Sequence, residues 1–106
     1  MTLSTHVLDA TTGRPADGLR VRLERAGPDG WTPAGEGTTG SDGRLRLAGD
    51  SGVYRLTFDS GAYFTSRGSA TFYPEVSVTF EMTEPDGHYH VPLLLSPFAY
   101  STYRGS

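Results

Sequence analysis

The sequence contains no cysteine, lysine, asparagine, glutamine or isoleucine. Without cysteine there are no disulfide staples, thiolate metal ligands or thiolate nucleophiles. Without lysine, Schiff-base chemistry and a Walker-type phosphate lysine are excluded, and all nine basic residues are arginine. The missing side-chain amides leave arginine, hydroxyls, histidine or backbone N–H to stabilise an oxyanion. A net charge of -3, a pI near 5.5 and the lack of a basic run argue against a nucleic-acid partner. No apolar run approaches the ~20 residues of a membrane span, and no leader with a charged and then an apolar region is visible. No membrane partner is expected, and the expected location is cytoplasmic. At 106 residues the chain is the size of one domain, expected to run over 1–106. A chain of this size has little room for a deep internal active site.

What is present is alternation. Leu19, Val21 and Leu23 alternate with Arg20, Arg22 and Glu24, and Leu45 and Leu47 alternate with Arg44 and Arg46. Tyr54, Leu56 and Phe58 make one apolar face, and Val76, Val78, Phe80 and Met82 make another. This period of two is the signature of half-buried strands. Turn chemistry separates the runs at Thr12-Gly13-Arg14-Pro15, Pro28-Asp29-Gly30, Asp42-Gly43, Asp50-Ser51-Gly52 and Pro85-Asp86-Gly87. Short strands so punctuated predict an all-β antiparallel sandwich or barrel. Ser60 to Arg67 lacks alternation and is read as one short helix, with Ser60 as its N-cap.

Candidate chemistry gathers at the two ends of the sequence. In the run from His88 to Leu95, the residues Tyr89, Val91, Leu93 and Leu95 share an apolar face. His88, His90, Pro92 and Leu94 are therefore expected to point away from the core, towards a ligand or another chain. The alternation of Ser4, His6 and Leu8 with Thr5, Val7 and Asp9 does not by itself decide which set is buried. His6, His88 and His90 could form a three-histidine zinc site. However, no ligand-spaced third histidine follows and no carboxylate stands behind the pair, so neither metal nor cofactor is expected. The preferred reading makes His90 a general acid or base and leaves His88 a strand residue without a task. Arg44, after the Asp42-Gly43 turn, can grip a carbonyl or anionic oxygen through paired hydrogen bonds. Arg46 and most other arginines are read as solvated charge. The tail from Tyr100 to Ser106 is read as an ordered last strand.

Ser4-Thr5-His6-Val7-Leu8-Asp9, followed by Thr12-Gly13-Arg14-Pro15-Ala16, resembles the opening signature of the transthyretin-like family. The run from His88 to Pro97, continued through Tyr103-Arg104-Gly105-Ser106, is similar to the signature of that family's enzyme branch, the 5-hydroxyisourate hydrolases. Hormone-carrying transthyretins resemble the fold but lack this tail and have lysine in place of His6. The resemblance implies an eight-stranded sandwich with a short helix between the fifth and sixth strands. It also implies a homotetramer, a dimer of dimers, with sites in a channel between subunits. By position it implies His6, Arg44 and His90 as the catalytic set, with Tyr103 and Ser106 added by the tail. His6 and Arg44 would also contact substrate. The expected activity is ring-opening hydrolysis of 5-hydroxyisourate by a histidine-activated water, to 2-oxo-4-hydroxy-4-carboxy-5-ureidoimidazoline, in urate degradation. The alternative is a carrier of a flat aromatic ligand without catalysis.

Overall fold

A computed structural model describes all residues, Met1–Ser106. The strands are β1 (Thr2–Asp9), β2 (Arg14–Pro15), β3 (Arg20–Gly27), β4 (Gly30–Thr38), β5 (Arg44–Ala48), β6 (Gly52–Phe58), β7 (Val76–Met82), β8 (His88–Leu95) and β9 (Tyr100–Thr102). The helix α1 (Ser60–Thr65) lies between β6 and β7. The eight strands implied by the family resemblance are thus present, and the two-residue rung β2 makes a ninth.

The strands divide into two sheets facing across one core. The first has the order β2-β1-β8-β9, with β5 paired to β1. The second has the order β4-β3-β6-β7. The alternating apolar residues meet where the pattern puts them. Val21, Leu23, Tyr54, Leu56 and Phe58 from the second sheet, with Leu19 just before β3, are buried against Leu3, Val7, Val91, Leu93 and Leu95 from the first. Each such side chain removed from water contributes about 1.5–3 kcal/mol. The undecided strand resolves here. Leu3, Thr5, Val7 and Asp9 face the core, and Ser4, His6 and Leu8 face outwards. Thr5 is tolerated inside because its hydroxyl donates to the carbonyl of Val91 at 2.7 Å.

Two local expectations change. The helix covers Ser60–Thr65, and Asp59 rather than Ser60 is its N-cap. Asp59 caps without a side-chain bond because its Oδ1 accepts from the Arg22 guanidinium at 3.0 Å. The Ser60 hydroxyl instead donates to the carbonyl of Tyr73 at 3.3 Å. Pro92 shares the outward face of β8 but is buried, because the tail lies over it. Thr102 donates its hydroxyl to the Pro92 carbonyl at 2.8 Å, and Gly105 N–H donates to the His90 carbonyl at 2.8 Å. No expectation covered β4, whose Gly30-Trp31-Thr32-Pro33-Ala34-Gly35-Glu36-Gly37-Thr38 run shows no alternation yet pairs with β3 across a bulge at Leu23/Glu24. It is an edge strand, where Pro33 removes no obligatory ladder bond. Its glycines leave room for neighbours: a Cβ on Gly37 would lie 2.7 Å from Cδ1 of Leu45.

No helix is long and apolar enough to cross a membrane.

Candidate active site

Strand register assembles the site on the outer face of the first sheet. β1 lies between β5 and β8, antiparallel to the former and parallel to the latter. Ser4 is thereby flanked by Arg46 on one side and His90 on the other. One rung along, His6 is flanked by Arg44 and Pro92. Since side chains two apart share a face, Ser4 and His6, Arg44 and Arg46, and His88 and His90 all project from the same surface. The Gly105 bridge to His90 folds the tail back towards this surface.

A polar cleft of about 150 Å³ results, lined by Ser4, Arg44, Arg46, His88, His90 and Ser106. No carboxylate side chain lines it, and neither Arg44 nor Arg46 takes part in an ion pair. Two unneutralised guanidiniums make the cleft a site for an anion or a carbonyl oxygen. Arg44 is presented by the tight turn before it. Gly43 has φ +73, and a Cβ there would lie 2.5 Å from the carbonyl oxygen of Val7, so only glycine fits. The Asp42 carboxylate accepts from the Arg44 N–H at 3.0 Å and fixes the start of β5.

His90 is half-buried at the floor of the cleft, and its Nδ1 is 2.8 Å from Oγ of Ser4. Its pKa is lowered from the ordinary imidazole value, mainly by burial. A hydrogen bond to Ser4 opposes this, while the charges of Arg44, His6 and His88 push it down further. The shift favours the neutral imidazole, the form a base that must accept a proton requires. His88 is exposed at the rim, where Nε2 lies 3.2 Å from Ser4 Oγ and Nδ1 hydrogen-bonds the Thr2 hydroxyl.

The five residues singled out from the sequence are not all in one place. Arg44, His90 and Ser106 line the cleft together. His6 is half-buried on the same face beside Arg44, within electrostatic reach of His90, but does not line the cleft. Tyr103 is exposed and lines a neighbouring, mostly apolar cavity of about 320 Å³ with Val78, Phe80, Tyr89 and Arg104. His90 belongs to both cavities and forms the boundary between them. Sequence reasoning passed over Ser4 and Arg46. Their signal was the period of two that placed each beside a residue already chosen, which becomes readable only with the β5-β1-β8 register. His6, His88 and His90 do not form a metal cage, as no three histidine or acidic side chains converge in a group able to hold an ion.

Fold and site together define a transthyretin-type β-sandwich with imidazoles and guanidiniums on the outer face of one sheet. Residues 3–105 match the model of the HIUase/Transthyretin family, and the chain belongs to that family. A 5-hydroxyisourate hydrolase of Salmonella typhimurium is 48% identical, over 98% of this chain and 80% of its own. The solved structure of Klebsiella pneumoniae 5-hydroxyisourate hydrolase superposes with a TM-score of 0.88 at 35% identity, covering all of both chains. Sea bream transthyretin, solved in complex with thyroxine, superposes with a TM-score of 0.90 at 36% identity, over 97% of this chain and 93% of its own.

Proposed function

We propose that this chain hydrolyses 5-hydroxyisourate, opening its lactam-type ring to give a carboxylated ureidoimidazoline in urate breakdown. The observation that carries this reading is the convergence of Arg44 on β5, His90 on β8 and Ser106 of the tail in one cleft free of acidic side chains. Relatives named as hydrolases, among them one 48% identical, favour catalysis over carriage.

The substrate is a flat, electrophilic bicycle that requires an activated water and a partner for developing negative charge. His90, neutral and half-buried, orients water and takes its proton. His6 assists proton transfer. Arg44 holds the carbonyl oxygen as it becomes anionic, a role worth about 10²–10³ in rate where a single oxyanion donor has been removed. Tyr103 and Ser106 position the ring. No metal or cofactor enters this scheme.

Residues 1–106 act as a single unit in this proposal, and four copies assemble as a dimer of dimers. The exposed apolar side chains Leu94, Phe98, Tyr100 and Tyr103 on the β8-β9 side of the molecule support this association. A second subunit would close the open side of the cleft.

The test is the loss of near-ultraviolet absorbance of freshly generated 5-hydroxyisourate with and without the protein. Decay should accelerate in proportion to protein and survive a chelator. Decay at the uncatalysed rate would leave the carrier reading, and chelator loss reversed by zinc would move the chemistry to a metal.

A further inference from the structure

The hydroxyl of Ser4 lies between two imidazoles, 2.8 Å from Nδ1 of His90 and 3.2 Å from Nε2 of His88. Beyond His88, Nδ1 meets the hydroxyl of Thr2 at the exposed rim. We infer that Thr2, His88, Ser4 and His90 form a proton-conducting chain that sets the tautomer of His90 and carries a proton from the cleft to solvent. The inference rests on the hydrolytic reading above and gives work to a histidine which that reading leaves idle.

The chain has direction because a hydroxyl has one proton to donate, and a neutral imidazole has one N–H and one bare nitrogen. When Ser4 donates to Nε2 of His88, it accepts from Nδ1–H of His90. Nε2 of His90 is then bare and serves as a base. The reverse polarity has Ser4 donating to Nδ1 of His90, which places the proton on Nε2. Thr2 can match either polarity at the far end. Every member is satisfied in both arrangements, so the chain can switch without leaving a buried polar atom unpaired.

Hydrolysis makes such an exit useful. For a neutral substrate, the oxygen of water bonds to the carbonyl carbon and the ring C–N bond breaks. One water proton reaches the leaving nitrogen by way of Nε2 of His90. That nitrogen becomes part of a ureide and is too weakly basic to hold another proton. The second water proton is on the new carboxylic acid, which ionises, so each turnover releases one proton. It binds Nε2 of His90 while Nδ1–H passes to Oγ of Ser4. The proton of Ser4 passes to Nε2 of His88, and Nδ1–H of His88 leaves by way of Thr2 to bulk water. Only N–H and O–H bonds are exchanged, and no oxidant or further reactant is involved. Once product has left, a solvent proton entering at Thr2 passes back along the chain to Nδ1 of His90. The resulting imidazolium gives its Nε2 proton to water in the open cleft, which restores the base.

The test compares wild type with Ser4→Ala, Ser4→Thr and His88→Ala in weak buffer. Ser4→Ala and His88→Ala should lose at least about tenfold in kcat with little change in KM, and Ser4→Thr, which keeps the hydroxyl, should recover most of it. Added imidazole buffer should restore His88→Ala by replacing the missing carrier and should leave wild type unchanged. Independently of turnover, nitrogen-15 shifts should show His90 protonated on Nδ1 in wild type and moved towards Nε2 in Ser4→Ala. Wild-type kcat in His88→Ala at low buffer, a loss that buffer does not relieve, or an unaltered His90 tautomer would each overturn the proposal. If wild type itself fails to turn over 5-hydroxyisourate, the substrate assignment falls, and the nitrogen shifts still decide whether the chain exists.

Discussion

His90 and Arg44 approach from strands more than forty positions apart in sequence, and each shapes what the other can do. Arg44 helps lower the His90 pKa, so Arg44→Ala should raise the imidazole titration midpoint as well as slow turnover. In wild type that midpoint should fall below the ordinary imidazole value near 6.5, as followed by the proton resonances of the ring. A group whose folded pKa is depressed favours the folded state above its unfolded pKa. That contribution fades as pH falls from the ordinary imidazole range through the lowered value. Acid should therefore weaken both folding and catalysis in that window. His90→Ala should lower kcat by about 10²–10⁴ without lowering thermal stability greatly, measured by absorbance decay and circular dichroism melting. A folded His90→Ala or Arg44→Ala variant at full rate would remove that residue from the mechanism.

At the scale of elements, the helix and the tail show how much one contact decides. Tyr63 on α1 donates its hydroxyl to Oδ2 of Asp9 at 2.9 Å, and Thr11 N–H donates to Oδ1 at 2.9 Å. Burial, followed by the hydrogen bond and charge of Asp9, pushes the Tyr63 pKa up to about 12. Since the raised pKa favours the neutral phenol, this tether supports folding below pH 10 and weakens between 10 and about 12. Tyr63→Phe should cost about 1–3 kcal/mol in urea unfolding by leaving the buried carboxylate short of a donor. The tail is tighter still. A Cβ on Gly105 would overlap Cδ2 of His90, so Gly105→Ala should slow turnover by turning the ring while the melting temperature barely moves.

The same scale explains what could be read in advance. β3, β6, β7 and β8 announce themselves because each buries one face, and burial writes a period of two into the sequence. β4 does not, since an exposed edge strand of glycine, alanine and proline has no face to mark. The helix was recognisable by the break in alternation, but its cap was not, because Arg22, a strand residue far away, claims the carboxylate of Asp59. The site was half legible. His88 and His90 on an outward face were visible from alternation alone, and the family resemblance supplied His6, Arg44, Tyr103 and Ser106. Ser4 and Arg46 needed the register between strands, which no local pattern encodes.

For the whole molecule, the open question of association becomes a measurement. Sedimentation should give a mass of four chains. Leu94→Arg places charge on an exposed apolar position of β8 and should yield smaller species with reduced turnover. A monomer in dilute solution at undiminished rate would separate activity from assembly.

The parallel pairing of β1 with β8 has a consequence for the birth of the protein. Ser4 and His90 are 86 positions apart yet hydrogen-bonded. A ribosome must therefore have delivered every residue between them before the two can touch. Until then β1 has no β8 neighbour, and its exposed edge is open to wrong partners. Folding of this domain should accordingly be slow, governed by the late meeting of β1 with β8. Nascent chains stalled before β8 emerges should be readily cut by protease and bind no purine-like ligand.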